Sequence, residues 1–137
     1  MRVLLDTCIL SEMRRADERA CQAVEAVDDA SLFLSVITIG EIAKGIALLP
    51  SPHRKEELTL WLSGLEKDFS TRILPIDHET ATIWGEITAR GIQAGKQIAT
   101  ADGLIAATAL RYGLHLMTRN TRDFKVTGAL IIDPWGS

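Results

Sequence analysis

Asp6, Glu41, Asp102 and Asp123 lie far apart in the sequence, yet each stands where an apolar run meets a polar or helical stretch. Asp6 follows Arg2–Leu5 (RVLL) directly. Glu41 falls in the first turns of the helix expected after Ser31–Val36 (SLFLSV). Asp102 opens an apolar helical segment that runs up to His115–Thr118 (HLMT), and Asp123 follows within Thr118–Phe124 (TRNTRDF). Carboxylates pressed together raise one another's pKa unless a cation sits among them. Oxygen ligands without clustered His or Cys suit a hard ion, Mg²⁺ or Mn²⁺. His53, His78 and His115 are widely spaced and form no zinc pattern, and Cys8 and Cys21 form neither a CxxC pair nor a disulfide framework. A carboxylate-held Mg²⁺ with open positions is what phosphodiester hydrolysis uses: the metal clamps phosphate oxygens, lowers the pKa of a bound water and stabilises charge developing in line.

Each acid also has an ordinary structural explanation. Asp6 can simply cap a helix starting near Thr7. Glu41 has Lys44 three residues on, the spacing of a solvated ion pair worth little. Asp123 is at home in a turn. Asp102 is harder to explain away. One turn onward its face carries Ile105, Ala106 and then Ala109, and no Lys or Arg occurs in that helix until Arg111 at its far end. A helix N-terminus favours a carboxylate, but an acid buried with an apolar helix needs a charged or hydrogen-bonding partner. A cation from outside the chain is the simplest remedy.

The elements that must position these acids are short. RVLL, SLFLSV, Arg72–Ile76 (RILPI), HLMT and Ala129–Ile132 (ALII) read as strands. Between them, Thr38–Leu49 and Asp77–Ala94 have helical spacing, the latter with an Ile83, Trp84 and Ile87 stripe. Asp102–Tyr112 is apolar nearly all round and belongs in the interior. Ser51–Pro52 ends one helix, and Glu56–Phe69 forms another with Trp61 and Leu65 on its inner face. Strands alternating with helices imply an α/β fold with a mostly parallel sheet covered on both faces. Ligands of such sheets bind beyond the carboxyl ends of the strands, which is where all four acids fall.

The 137 residues span the length of one domain, expected to cover 1–137. A 47% hydrophobic and 24% charged composition excludes wholesale disorder, and a net charge of −3 argues against a generic basic nucleic-acid coat. Arg2, Asp6, Glu12, Arg14 and Arg15 interrupt the first segment, so it makes no signal-peptide core, and no charge-free run approaches bilayer-spanning length. The expectation is a reduced, cytoplasmic protein.

Asp6–Thr7 after an opening strand, Ser35–Gly45 (SVITIGEIAKG), Thr100–Ala109 (TADGLIAATA) and TRNTRDF together resemble the PIN-domain nucleases, most closely the VapC-type toxins of toxin–antitoxin pairs. The resemblance covers essentially the whole chain, in order. It implies a three-layer α/β/α sandwich with a parallel sheet of about five strands. It also implies a Mg²⁺- or Mn²⁺-dependent endoribonuclease, silenced by a VapB-type antitoxin and expected to form a homodimer. Carried over, the acidic cluster is Asp6, Glu41, Asp102 and Asp123, with Asp6 and Asp102 as direct metal ligands. Glu41 and Asp123 complete the set and orient the attacking water. Thr7, Thr118 and Asn120 match positions where the family keeps hydroxyl and amide groups that hold carboxylates and phosphate. Relatives commonly place Asn where this chain has Cys8, a poorer hydrogen-bonding group.

An RNA substrate needs positive charge around an acidic centre. Arg119, Arg122 and Lys125 crowd the edge that carries Asp123, and Lys44 lies near Glu41, so these are candidate phosphate contacts; a merely solvated basic rim is the alternative. With 5% aromatic residues no stacking platform is evident. Trp61, Leu62 and Leu65 are either ordinary core or a partner surface. The rival reading is a non-catalytic PIN-like or receiver-like binding module. Receiver domains pair adjacent acids after the first strand and place a Lys after the last, whereas here Asp6 stands alone and Asp133–Pro134 follows the last strand.

Overall fold

The computed structural model describes residues 1–136. Five short strands form one sheet: β1 (Val3–Leu5), β2 (Leu32–Ser35), β3 (Ile73–Leu74), β4 (His115–Met117) and β5 (Ile131–Ile132). Their order is β3-β2-β1-β4-β5 and every pairing is parallel. Parallel neighbours require crossovers, which the helices supply. These are α1 (Thr7–Arg14), α2 (Glu18–Glu25), α3 (Val36–Ala47), α4 (Pro52–Asp68), α5 (His78–Gln93), α6 (Thr100–Tyr112) and α7 (Thr121–Lys125).

The period of two along each strand separates two cores. Val3, Leu5, Leu32, Leu34 and Met117 face one side, against Ile9 and Leu10 of α1, Val24 of α2, and Ile42 and Ile46 of α3. Leu4 and Leu116 face the other, against Ile87 of α5, Ile105, Ala106 and Ala109 of α6, and Phe124 of α7. This is the three-layer sandwich, with apolar strands buried on both faces. Trp61, Leu62 and Leu65 of α4 are half-buried against the first core, so that stripe is a core flank.

Register sets the site. Leu5 pairs with Met117 and Met117 with Ile132, so the residues after β1, β4 and β5 come level at one edge. The ladder continues one step beyond the strands: Asp6 N–H donates to Met117 O at 3.0 Å and Thr118 N–H to Ile132 O at 3.0 Å.

Three features differ from the sequence reading. α4 begins at Pro52, four residues before Glu56, because Ser51 Oγ accepts from Arg54 N–H (3.3 Å) and proline suits a first helical turn. α2 has no counterpart among the expected helices; Asp17 caps it by accepting from Ala20 N–H at 3.0 Å, and Ala20 and Val24 are buried at i, i+4 spacing. Within and just beyond TRNTRDF, Thr121–Lys125 form the short helix α7, anchored by the fully buried Phe124, which leaves Arg122, Asp123 and Lys125 exposed.

Candidate metal and phosphodiester site

Asp6 is both a helix cap and the centre of a network. Its Oδ1 accepts from Thr7 N–H at 2.9 Å, the capping bond expected of an Asp after a strand. Its Oδ2 accepts from Thr118 Oγ1 at 2.8 Å and from the Cys8 thiol at 3.4 Å. Thr118 is itself fixed, since its Oγ1 accepts from Asn120 N–H at 3.0 Å. Asn120 therefore acts through its backbone, at the start of α7. Asp6 is only 6% exposed, and burial raises its pKa against the lowering effect of these donors, with nearby Glu41 adding to the rise.

Glu41 is held from β1's side of the edge. Thr7 Oγ1 donates to Glu41 Oε1 at 2.7 Å and lies 3.2 Å from Oγ1 of the buried Thr38. Sequence reasoning missed Thr38; it stands three residues before Glu41, on the same face of α3, and that spacing is the signal that marks it. Lys44 is exposed in the last turn of α3 and forms no ion pair with Glu41.

Asp102 sits in the first turn of α6, beside Gly103, Ile105 and Ala106, all buried. Desolvation pushes its pKa up to about 6, and Asp6, Glu41 and Asp123 each push in the same direction. Four residues from four segments thus share one negative field. No base answers it. Ion pairs among the described residues join Arg15 to Glu12, Arg54 to Glu57, and Arg111 to Asp77 and Glu79. Arg111, the one base of α6, is committed to α5: its Nη2 lies 3.6 Å from Asp77 Oδ2 and its Nε 3.3 Å from Glu79 Oε2.

Among the described residues, no group of three or more His, Cys, Asp or Glu side chains is gathered closely enough to hold a metal ion by itself. A hard divalent ion of the Mg²⁺ type does not need one: it is commonly bound through one or two carboxylates, retained waters and substrate phosphate. Asp6, immobilised by its three donors, and Asp102, its pKa raised by burial and by neighbouring acids, fit such an ion. Glu41 and Asp123 stand close enough to act electrostatically on Asp102.

Beside Asp102 and Asp123, but without Asp6 or Glu41 in its lining, a groove of about 910 Å³ runs between the 96–99 segment and α7. Asp102, Asp123, Arg122 and Lys125 line it. Asp133, directly after β5, lines it too and caps its own turn by accepting from Trp135 N–H at 2.9 Å. The strand-end rule that located Asp6 applies equally to Asp133, which the sequence reading used only to exclude a receiver domain. Arg119 points elsewhere, with its guanidinium 4.5 Å from the centroid of the Trp135 ring. The Cys8 thiol is pushed up by burial and by Asp6, so it is a neutral donor and no nucleophile.

A five-stranded parallel α/β domain with an uncompensated acidic edge is thereby defined, and comparison with known proteins places it. The PIN domain profile matches residues 3–130. The chain is 35% identical over 139 residues to the VapC ribonuclease Y4jK of Sinorhizobium fredii, covering 97% of each. It is 36% identical over 136 residues to the toxin FitB of Neisseria gonorrhoeae, covering 97% of this chain and 98% of that one. The crystal structure of FitAcB from the same organism superposes with a TM-score of 0.91 at 36% identity, over 98% of this chain and 99% of that chain. A toxin–antitoxin complex from Klebsiella pneumoniae superposes with a TM-score of 0.70 at 26% identity, over 98% and 99% of the two chains. The chain belongs to the PIN domain family.

Proposed function

We propose that this chain is a Mg²⁺- or Mn²⁺-dependent endoribonuclease, the toxin of a toxin–antitoxin pair. The observation that carries the reading is geometric: Thr7 and Thr118 tie Asp6 and Glu41 into one network at the sheet edge, Asp102 and Asp123 line the adjoining groove, and among the described residues no Lys or Arg is paired to any of the four. The full-length similarity to a VapC ribonuclease and to the toxin FitB supports the same conclusion.

When bound, the divalent ion supplies positive charge to phosphate oxygens and lowers the pKa of a water. The protein's own contribution is positional. Thr118, Thr7 N–H and Cys8 fix both oxygens of Asp6, so this ligand is oriented before any ion arrives. Thr7 fixes one oxygen of Glu41, leaving the other to orient a water. Asp102 favours its protonated form in the metal-free protein up to about pH 6 and, once that proton is lost, would be available to hold the ion. Asp123, exposed on α7, stands at the mouth where substrate enters. The antitoxin and a second copy of the chain are the expected partners. No helix among the described residues is long and apolar enough to cross a membrane.

The test is cleavage of total cellular RNA by the purified, antitoxin-free chain with Mg²⁺ or Mn²⁺. Wild type cuts, and either excess chelator or Asp6→Asn stops the cutting while circular dichroism stays unchanged. Undiminished cutting in chelator would refute the metal mechanism, and no cutting of any RNA would refute the nuclease reading.

A further inference from the structure

We propose that the groove between the 96–99 segment and α7 is a subsite for single-stranded RNA, taking the nucleotide next to the scissile phosphate; this deepens the ribonuclease reading and rests on it. The groove is lined by Asp102, Asp123 and Asp133. Its rim carries Lys96, Arg122 and Lys125, all exposed and none engaged in an ion pair among the described residues. Its floor is apolar, formed by half-buried Ile98, Val126 and Ile131. The volume of about 910 Å³ lies at the upper end of the range for small-ligand clefts and leaves room for a nucleotide and its neighbouring phosphate.

This combination selects its occupant. The acidic cluster by itself repels a polyanion, so a phosphodiester chain needs cations within about a Debye length of the cut, roughly 8 Å at physiological salt. Lys96, Arg122 and Lys125 stand on the walls of the same groove as Asp102 and Asp123, while Ile98, Val126 and Ile131 offer an apolar surface for a base or ribose face. Lys96 had no place in the sequence reading. Its position is built: Gly95 adopts φ 72°, open to glycine but strained for other residues, and Lys96 N–H then donates to Gly91 O at 2.7 Å. The other two basic candidates sit apart from this groove, Lys44 at the end of α3 and Arg119 against Trp135.

The experiment uses the cleavage-silent Asp6→Asn protein in Mg²⁺ with a fluorescein-labelled single-stranded RNA, read by anisotropy across salt concentration. Each of Lys96→Gln, Arg122→Gln and Lys125→Gln weakens binding, and the triple variant lowers the slope of log K against log salt by about 2, near 0.7 for each phosphate no longer neutralised. Lys67→Gln, on the last turn of α4, leaves both unchanged. An unchanged slope in the triple variant would overturn the subsite. Polyglutamate of matching charge competes far more weakly than unlabelled RNA; equal competition would overturn the RNA assignment and give the groove to an acidic protein segment. In the otherwise wild-type protein the triple variant raises KM with kcat retained. Chelator-sensitive cleavage with an unchanged KM defeats the subsite alone. Lost RNA binding in the variants, with no cleavage by wild type, defeats the ribonuclease reading alone.

Discussion

Replacing Asp102 by Asn should make the metal-free protein more stable while abolishing its activity. Asp102 has its pKa raised from 3.8 to about 6, first by burial and then by three neighbouring acids. A carboxyl that binds its proton more tightly when folded favours the folded state at low pH, and that contribution disappears as pH rises through the folded value. The window therefore runs from about 3.8 to about 6. Taken at face value the shift corresponds to about 3 kcal/mol, at 1.36 kcal/mol per pH unit. Asp102 is only partly buried, so solvent screening reduces this to about 1–2 kcal/mol. At the usual entropy of unfolding for this chain length, that equals a rise in Tm of about 3–7 °C above pH 7. The assay is urea and thermal denaturation of wild type and Asp102→Asn in EDTA, from pH 3.5 to 8. The two curves should coincide near pH 3.5 and separate by pH 7. Mg²⁺ or Mn²⁺ at about 100 times its Kd should then stabilise wild type by about 2.7 kcal/mol and leave the variant where it was. A variant less stable than wild type at pH 7.5, or a gap that persists at pH 3.5, would refute the electrostatic argument.

Thr118→Val keeps the side-chain shape but removes the donor to Asp6 Oδ2; metal affinity, read from the Mg²⁺ dependence of cleavage, should fall about 10- to 100-fold. No change would mean that Asp6 needs no support from β4. Cys8→Asn supplies a stronger donor beside Asp6 and should retain cleavage. Because burial and Asp6 hold the thiol neutral, iodoacetamide should alkylate Cys8 more slowly in the native protein at pH 7.5 than in urea; equal rates would remove the stated cause. Gly91→Ala places a Cβ 2.9 Å from Ile98 Cδ1 and 3.1 Å from Lys96 O, so it should cost about 1–3 kcal/mol of stability. It should also weaken RNA binding through the displaced groove wall, and unaltered RNA affinity would disconnect that wall from the substrate.

The sheet and its edge were readable because two simple rules coincide there. Short apolar strands end abruptly, and the first polar residue after each must lie at the carboxyl edge; Asp6 and Thr118 follow β1 and β4 in this way. Asp102 was legible for a different reason: an acid on a helix with buried neighbours on its own face has no local partner. What the sequence concealed depends on side-chain choices between segments. That Arg111 turns to Asp77 and Glu79, that Arg119 lies over Trp135, and that Thr38 backs the Thr7–Glu41 bond are tertiary facts with no local signature. α2 and α7 escaped because helices this short show few turns for periodicity to register; the one local signal overlooked was Asp17, a capping residue ahead of α2.

The unequal hold on the four acids follows from the same physics. Asp6 can be buried at 6% exposure because Thr7 N–H, Thr118 and Cys8 satisfy its oxygens. A second carboxylate as deeply buried beside it would need as many donors; Asp102 instead rides in a first helical turn, half-buried, and retains a raised pKa. Asp123 is placed on the exposed face of a one-turn helix, where water screens it. The gradient runs from a fixed acid at the sheet to a solvated one at the groove mouth. Asp6 and Asp102 would hold a divalent ion at the fixed end, and the solvated end is the side on which Arg122 and Lys125 line the groove beside Asp123.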